Sequence, residues 1–346
     1  MAGRHFSAAV IGVAAFSLVL SGCARGGGAG GSDAEGDHYT IKFAHVVTVT
    51  TPKGQAAEKF KELVEAKSNG RITVEVYPNS ELYGDEDELQ ALQSGAVQVL
   101  APSTAKFTTI APQLQVLDLP FLFESPDQIS EVIAPDTSVG KAIYENEDLA
   151  ERNIQVLGLW DNGFKQLSAN TPITGPADLN GLRFRIQPSD VLRSQFEAWG
   201  VRPTPMAFGE VYNALQQGVI DGAENPWSNI ETQKMHTVQK YIVESNHGYL
   251  GYVLVINKDF LSSLPADLQA AVTEAADEAT AFIRQIAADV NAKSKQAIID
   301  AKTSQVTELT GAQRQALKDV VVPSVWNQYA DAIGRELVDE LLENNG

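Results

Sequence analysis

Between Pro265 and Gly311 the chain runs for 45 residues without a glycine or a proline. Such a stretch, rich in Ala, Glu, Gln and Lys, predicts one very long helix or two nearly continuous ones. At about 1.5 Å per residue, a helix of that length exceeds the diameter of a single domain, so it is expected to brace two lobes. The length agrees: 346 residues is about two domains' worth of chain at roughly 150 residues each. With 44% hydrophobic and 20% charged residues, the mixture is that of a globular protein, which rules out disorder throughout.

The part upstream of the long helix reads as α/β. Tyr39 to Phe43 forms a short strand, and Thr51-Pro52 reads as an N-cap followed by proline at the first helical position. Ala56, Phe60, Leu63 and Val64 fall on one helical face, Asn69-Gly70 ends the helix, and Ile72, Val74 and Val76 alternate as a strand. That order implies a parallel pair with a right-handed crossover. A second helix over 86–94 and a strand over 96–100 follow. Farther on, 154–160, 182–187, 241–245 and 252–256 read as strands, interleaved with helices near 191–199, 210–217 and 227–238.

The amino terminus carries an address. Arg4 and His5 precede an apolar run from Ala8 to Leu20, and Leu20-Ser21-Gly22-Cys23 has the form of a lipobox. A run of 13 residues reaches only about 20 Å as a helix, short of a hydrocarbon core of about 30 Å, so residues 1–22 read as a lipoprotein signal peptide and not as a lasting span. Cys23 is the only cysteine and stands where a lipid would be attached, so the mature fold is expected to use no disulfide. Residues 23–38, rich in glycine, read as a flexible tether reaching about 20 Å; no Gly-Lys-Ser/Thr follows the glycines, as a phosphate cradle would require.

The formal net charge is −18 and becomes −19 once Arg4 leaves with the signal. A surface of that sign disfavours nucleic acid and anionic lipid as partners. It does not forbid a small anionic ligand, because a desolvated arginine in a cleft outweighs distant, screened charges. No zinc-protease, serine-hydrolase or P-loop motif occurs, and the histidines are scattered. No catalytic residue, cofactor or metal is therefore expected. The acidic run Asp85-Glu86-Asp87-Glu88 lacks the spacing of a calcium loop and is explained by the dipole of the helix it opens.

The most informative stretch is 182–187. Leu182, Phe184 and Ile186 alternate with Arg183 and Arg185, which puts both arginines on one strand face. Two readings stand at this point: cations awaiting an anion, or arginines guarding a sheet edge.

Several motifs in register then carry a resemblance: Phe43-Ala44-His45, Tyr77-Pro78-Asn79-Ser80-Glu81-Leu82-Tyr83, Trp160-Asp161-Asn162-Gly163-Phe164-Lys165, Arg183-Phe184-Arg185-Ile186-Gln187, Met206-Ala207-Phe208-Gly209-Glu210-Val211-Tyr212 and Asp221-Gly222-Ala223-Glu224-Asn225-Pro226. From about residue 40 to the C-terminus the chain resembles the extracytoplasmic solute-binding proteins of tripartite ATP-independent periplasmic (TRAP) transporters, the DctP family. The segments 160–165 and 247–252 look most like its C4-dicarboxylate-binding branch. The resemblance implies a two-lobed, periplasmic-binding-protein-like α/β fold with crossing hinge strands and a long bracing helix. Lobe I would comprise 39–162 plus 251–290, and lobe II 163–250 plus 291–346.

The same resemblance implies that Arg185 pairs with a ligand carboxylate and that Asn225 donates an amide hydrogen to it. Arg183 matches a more variable basic position and keeps its surface reading. Lys165 stands where many members carry a second arginine and is expected to help hold the ligand's other carboxylate or an adjacent hydroxyl, as a point charge in place of a planar fork. Val46, Tyr83 and Ser103 match cleft-facing positions of lobe I, Gln187 follows the arginine strand, and Met206, Phe208 and Trp227 stand equally as walls or as core. The implied function is capture of a small organic acid, foremost a C4-dicarboxylate such as succinate, malate or fumarate, and its delivery to a TRAP permease from a lipid anchor at Cys23. A uronate, another sugar acid or an aromatic acid held by the same Arg185 is the alternative ligand. A cell-surface enzyme and a lipoprotein scaffold are the rival classes.

Overall fold

The computed structural model describes residues 37–344. The expected signal peptide, Cys23 and all but the end of the tether lie outside them. Nine strands form one mixed sheet: β1 (Tyr39–Ala44), β2 (Ile72–Tyr77), β3 (Val99–Leu100), β4 (Ile154–Ala169), β5 (Arg183–Ile186), β6 (Arg202–Pro205), β7 (Gly222–Asn225), β8 (Tyr241–Asn257) and β9 (Gln305–Glu308). The helices are α1 (Pro52–Lys67), α2 (Glu88–Gln93), α3 (Pro126–Val132), α4 (Ser138–Tyr144), α5 (Glu147–Glu151), α6 (Asp190–Ala198), α7 (Val211–Gln216), α8 (Trp227–Thr232), α9 (Lys258–Ser263), α10 (Ala266–Ala301), α11 (Gly311–Ile333) and α12 (Arg335–Asn344).

The sheet order β2-β1-β3-β8-β4-β7-β5-β6, with β9 also beside β8, resolves into two wings joined by the long antiparallel pair β4 and β8. In the first wing β2, β1 and β3 are parallel, and β3 meets the C-terminal end of β8 at Leu100–Val255. In the second wing β7, β5 and β6 are parallel, and β7 meets the C-terminal end of β4. Both long strands therefore pass from one wing into the other. Their register breaks between Asp161 and Phe164 and again between Lys165 and Leu167. Gly163, with φ +89°, occupies the left-handed region that a side chain resists. The spacing pattern predicts separate short strands over 154–160, 241–245 and 252–256; the structure replaces them with two continuous crossings, because bulges let a strand bend without ending.

The local chemistry behaves as its residue types dictate. Thr51 Oγ1 accepts from the Gly54 N–H at 3.1 Å, capping α1, while Asn69 and Gly70 take positive φ at its end. Ala56, Phe60 and Val64 are buried against Phe43 and Trp160 beneath β1 and β8. The stretch without breakers forms a single helix of 36 residues, α10. It ends at Lys302, which takes the left-handed conformation usually left to glycine, and the last residues of the stretch become β9. Periodicity could not reveal that strand, since pairing with β8 decides it.

Helix α10 packs on α1 and β4 along its first half and on α8 and β9 farther along. Trp160 Nε1 donates to Thr280 Oγ1 at 3.0 Å, and Gly158 admits the helix so closely that a Cβ there would lie 2.4 Å from that same oxygen. Asn291 Nδ2 donates to the Asn162 carbonyl at 3.0 Å while its Oδ1 accepts from the Ser228 N–H at 3.0 Å. One side chain thus ties the brace to the crossing and to the second wing. On the opposite face, Trp199 and Trp326 donate to the carbonyls of Leu317 and Pro120, fixing α11 over the sheet.

Candidate functional site

The parallel strands of both wings point their C-terminal ends toward one cavity, the position where open α/β sheets hold ligands. Val46 follows β1, Lys53 lies in the first turn of α1, Asp85 and Glu88 open α2, and Ser103 follows β3. From the second wing come Arg185 in β5, Gln187 just beyond it, Phe208 beyond β6, Asn225 at the end of β7 and Asn229 in α8; Leu250 and Tyr252 of β8 close the crossing side. The space is nearly closed: only about 20 Å³ of it admits a water-sized sphere, far below the volume of a ligand pocket.

Two contacts hold the wings together across this space. Gln187 Nε2 donates to Ser103 Oγ at 2.7 Å, and the Phe208 N–H donates to Asp85 Oδ2 at 2.6 Å. Asp85 also lies 3.4 Å from Lys106 Nζ.

Arg185 is 1% exposed. Its Nε and Nη2 donate to the Met206 carbonyl at 3.0 and 2.9 Å, and the Phe208 ring lies 5.9 Å from Cζ. Among the described residues no carboxylate reaches ion-pair distance of it. Burial pushes its pKa down, opposed by the more distant Asp85 and Glu224. A buried guanidinium without a counter-ion is costly, and a carboxylate forking onto its remaining N–H groups removes that cost. The edge-guarding reading fails for this strand, because β5 lies between β7 and β6. Arg183, on the same face nearer the surface, is held by Asp221 at 2.7 Å.

Lys53 is a second buried cation. Its Nζ donates to the Ala101 carbonyl at 3.0 Å and sits 3.9 Å from the Tyr252 ring centroid. Burial holds it down at about 8, and burial together with Asp85 pushes Glu88 up to about 7. Asn225 turns its amide toward Met235 Sδ at 3.7 Å.

Four of the residues expected at the site are placed elsewhere. Lys165 is buried against Glu224 at 2.8 Å, and Glu224 also lies 2.8 Å from His247 Nε2, whose Nδ1 is 2.8 Å from Ser245 Oγ. Glu224 and Asn225 are neighbours on β7 and face opposite sides, so the lysine's partner points away from the cavity. Tyr83 is half-buried against the main core. Met206 contributes its carbonyl, not its side chain, to the arginine. Trp227 lines a separate groove beside α10, with Lys295 Nζ 5.5 Å from its ring.

Sequence reasoning missed Lys53, Asp85, Glu88, Asn229, Leu250 and Tyr252. For Lys53 a signal existed: a cation in the first turn of a helix opposes the dipole and needs another reason to be there. The acidic run gave no such signal, because the dipole alone accounts for acids at that end. Among the described residues no cluster of histidine and acidic side chains is arranged to hold a metal, and no helix is long and apolar enough to cross a membrane.

Comparison with known proteins fits this geometry. Residues 43–332 match the family of bacterial extracellular solute-binding proteins, family 7 (DctP). The C4-dicarboxylate-binding periplasmic protein DctP of Rhodobacter capsulatus is 46% identical over 339 residues, 98% of this chain and 97% of that protein. A crystal structure of a TRAP periplasmic solute-binding protein from Shewanella oneidensis with bound succinate is 44% identical, with a TM-score of 0.85 over 89% of this chain and all (100%) of that one. One from Pseudomonas aeruginosa with bound L-malate is 39% identical, with a TM-score of 0.80 over 84% and 100%. The chain therefore belongs to the DctP family of TRAP solute-binding proteins, and its role is to bind a solute, not to transform one.

Proposed function

We propose that this protein captures a C4-dicarboxylate, such as succinate, malate or fumarate, in the cavity between the wings and delivers it to a TRAP permease. The observation that carries the reading is the buried Arg185, which among the described residues has no carboxylate partner and lines the small space between the wings. The ligand names of the similar proteins support a diacid over a sugar acid. In this reading Arg185 forks onto one carboxylate, Asn225 donates to it, and Val46, Ser103, Gln187 and Phe208 complete the walls.

Energetics demand closure. A diacid of about nine heavy atoms bound at micromolar strength needs about −8 kcal/mol, close to −0.9 per atom. Charged hydrogen bonds supply that only where water is excluded. Lobes divided as 39–162 plus 251–290 and 163–250 plus 291–346 would open and close about the crossing of β4 and β8, and the closed shape would be what the permease recognises. Lipid on Cys23, with residues 23–38 as the tether, would keep the protein at the membrane on the outer side.

A calorimetric screen tests the reading. Succinate, malate and fumarate should each give a saturating binding isotherm; silence from all three alongside binding of a uronate, galactonate or an aromatic acid would overturn the diacid assignment. Turnover of any bound acid would overturn the binding role.

A further inference from the structure

We propose that Lys53 and Glu88 form a second subsite, on the first wing of the cavity, which grips the diacid's far carboxylate and takes up a proton as it does so. This rests on the diacid reading and deepens it.

The geometry begins with what each group lacks. Lys53 is 1% exposed, and of the three donors on an ammonium the Ala101 carbonyl accounts for one and the Tyr252 ring faces the nitrogen. Among the described residues no carboxylate comes within ion-pair distance of Lys53. Glu88 is buried on the same wall, and its Oε1 has no hydrogen-bond partner. These are two open polar groups lining the cavity that also holds Arg185. Lys165 and Lys106, the other lysines of the region, already have their carboxylates in Glu224 and Asp85.

Charge then decides the protonation state. The groups facing Glu88 are Asp85 on its own segment, Lys53 on α1, Lys106 in the turn after β3 and Tyr252 on β8. Asp85 is offset by Lys106 and by the Phe208 N–H. His45, which also faces Lys53, is neutral, because burial and the neighbouring ammonium hold it down at about 3. Arg185 and Lys53 thus match a dianion only when Glu88 carries a proton; an ionised Glu88 would confront the arriving carboxylate with a like charge. Burial and Asp85 already place Glu88 at about 7, and burial places Lys53 at about 8. A dianion raises both further, so binding near and just above neutral pH draws a proton into the pair as a unit. As protonated partners, the ammonium and the carboxylic acid both donate to the ligand.

Succinate titrated into the whole protein at pH 7.5, in phosphate and in Tris, tests this, because the difference in observed heat counts protons. Wild type should take up about half to one proton per succinate. Glu88→Gln should remove at least half of that uptake and flatten the decline in affinity between pH 6 and 8.5. Lys53→Met should weaken succinate about a hundredfold. Zero uptake by wild type would overturn the proposal while leaving the diacid reading intact, as would unchanged uptake in Glu88→Gln or unchanged affinity in Lys53→Met. Failure of every C4 diacid to bind wild type would instead remove the reading beneath it.

Discussion

Two groups of buried charges lie close together in this protein and are answered in opposite ways. Behind β7, Lys165, Glu224, His247 and Ser245 form a chain in which each polar group meets another at 2.8 Å. In front of it, Arg185 and Lys53 are buried just as deeply but, among the described residues, meet backbone carbonyls and aromatic rings and no carboxylate. The first group is complete without a ligand. The second becomes complete only when an anion arrives. Burial of charge alone does not mark a binding site; burial of charge without a counter-ion does.

The contrast can be broken most decisively at Arg185. Arg185→Ala should weaken C4-diacid binding by about 4–5 kcal/mol, over a thousandfold, while leaving the thermal midpoint unchanged or higher, since an unanswered buried charge has been removed. Calorimetry and a melting curve on the same sample check both halves. Lys165→Met should show the reverse pattern. Leaving Glu224 beside only His247 should cost about 3–5 kcal/mol of stability, read from urea unfolding, with a much smaller loss of diacid affinity. A lysine variant that folds as stably as wild type but cannot bind would return Lys165 to the ligand.

Acid sharpens the same comparison. Burial alone would push Glu224 up, but Lys165 and His247 together hold it at about 2. Because this folded value lies below the unfolded one, its contribution is fully present above about pH 4.5 and is lost as pH falls toward 2, about 3 kcal/mol in all. Urea unfolding at a series of pH values should show that decline in wild type and a flatter course in Glu224→Gln, which starts lower. The smallest effect is expected at the contact between the wings. Ser103→Ala removes the acceptor of Gln187 and should cost about 1 kcal/mol of diacid affinity, with the unfolding midpoint little changed.

Much of this was legible in the residues. The β1-α1-β2 unit follows from one cap, one apolar face and one alternating strand, and the brace follows from the absence of any breaker before Gly311. Alternation marked Arg183 and Arg185 alike as cations on one strand face, and only the resemblance to the DctP family set Arg185 apart as the expected ligand partner. The crossings were less legible. Alternation ends where Gly163 and the bulges intervene, so each half reads as its own strand. Lys165 misled for a related reason: sequence shows that a lysine replaces an arginine but not that Glu224, 59 residues away, has already claimed it. Glu88 was hidden among acids that a helix N-terminus welcomes anyway, and only burial separates it from Glu86 and Asp87.

A crystal structure of the protein grown with succinate tests the central claim most directly. One carboxylate should lie about 3 Å from the Arg185 guanidinium, inside the cavity between the wings, with the Lys165–Glu224 pair unbroken behind it. Succinate seated on Lys165, or bound outside the cavity with Arg185 still lacking an anion, would contradict the account.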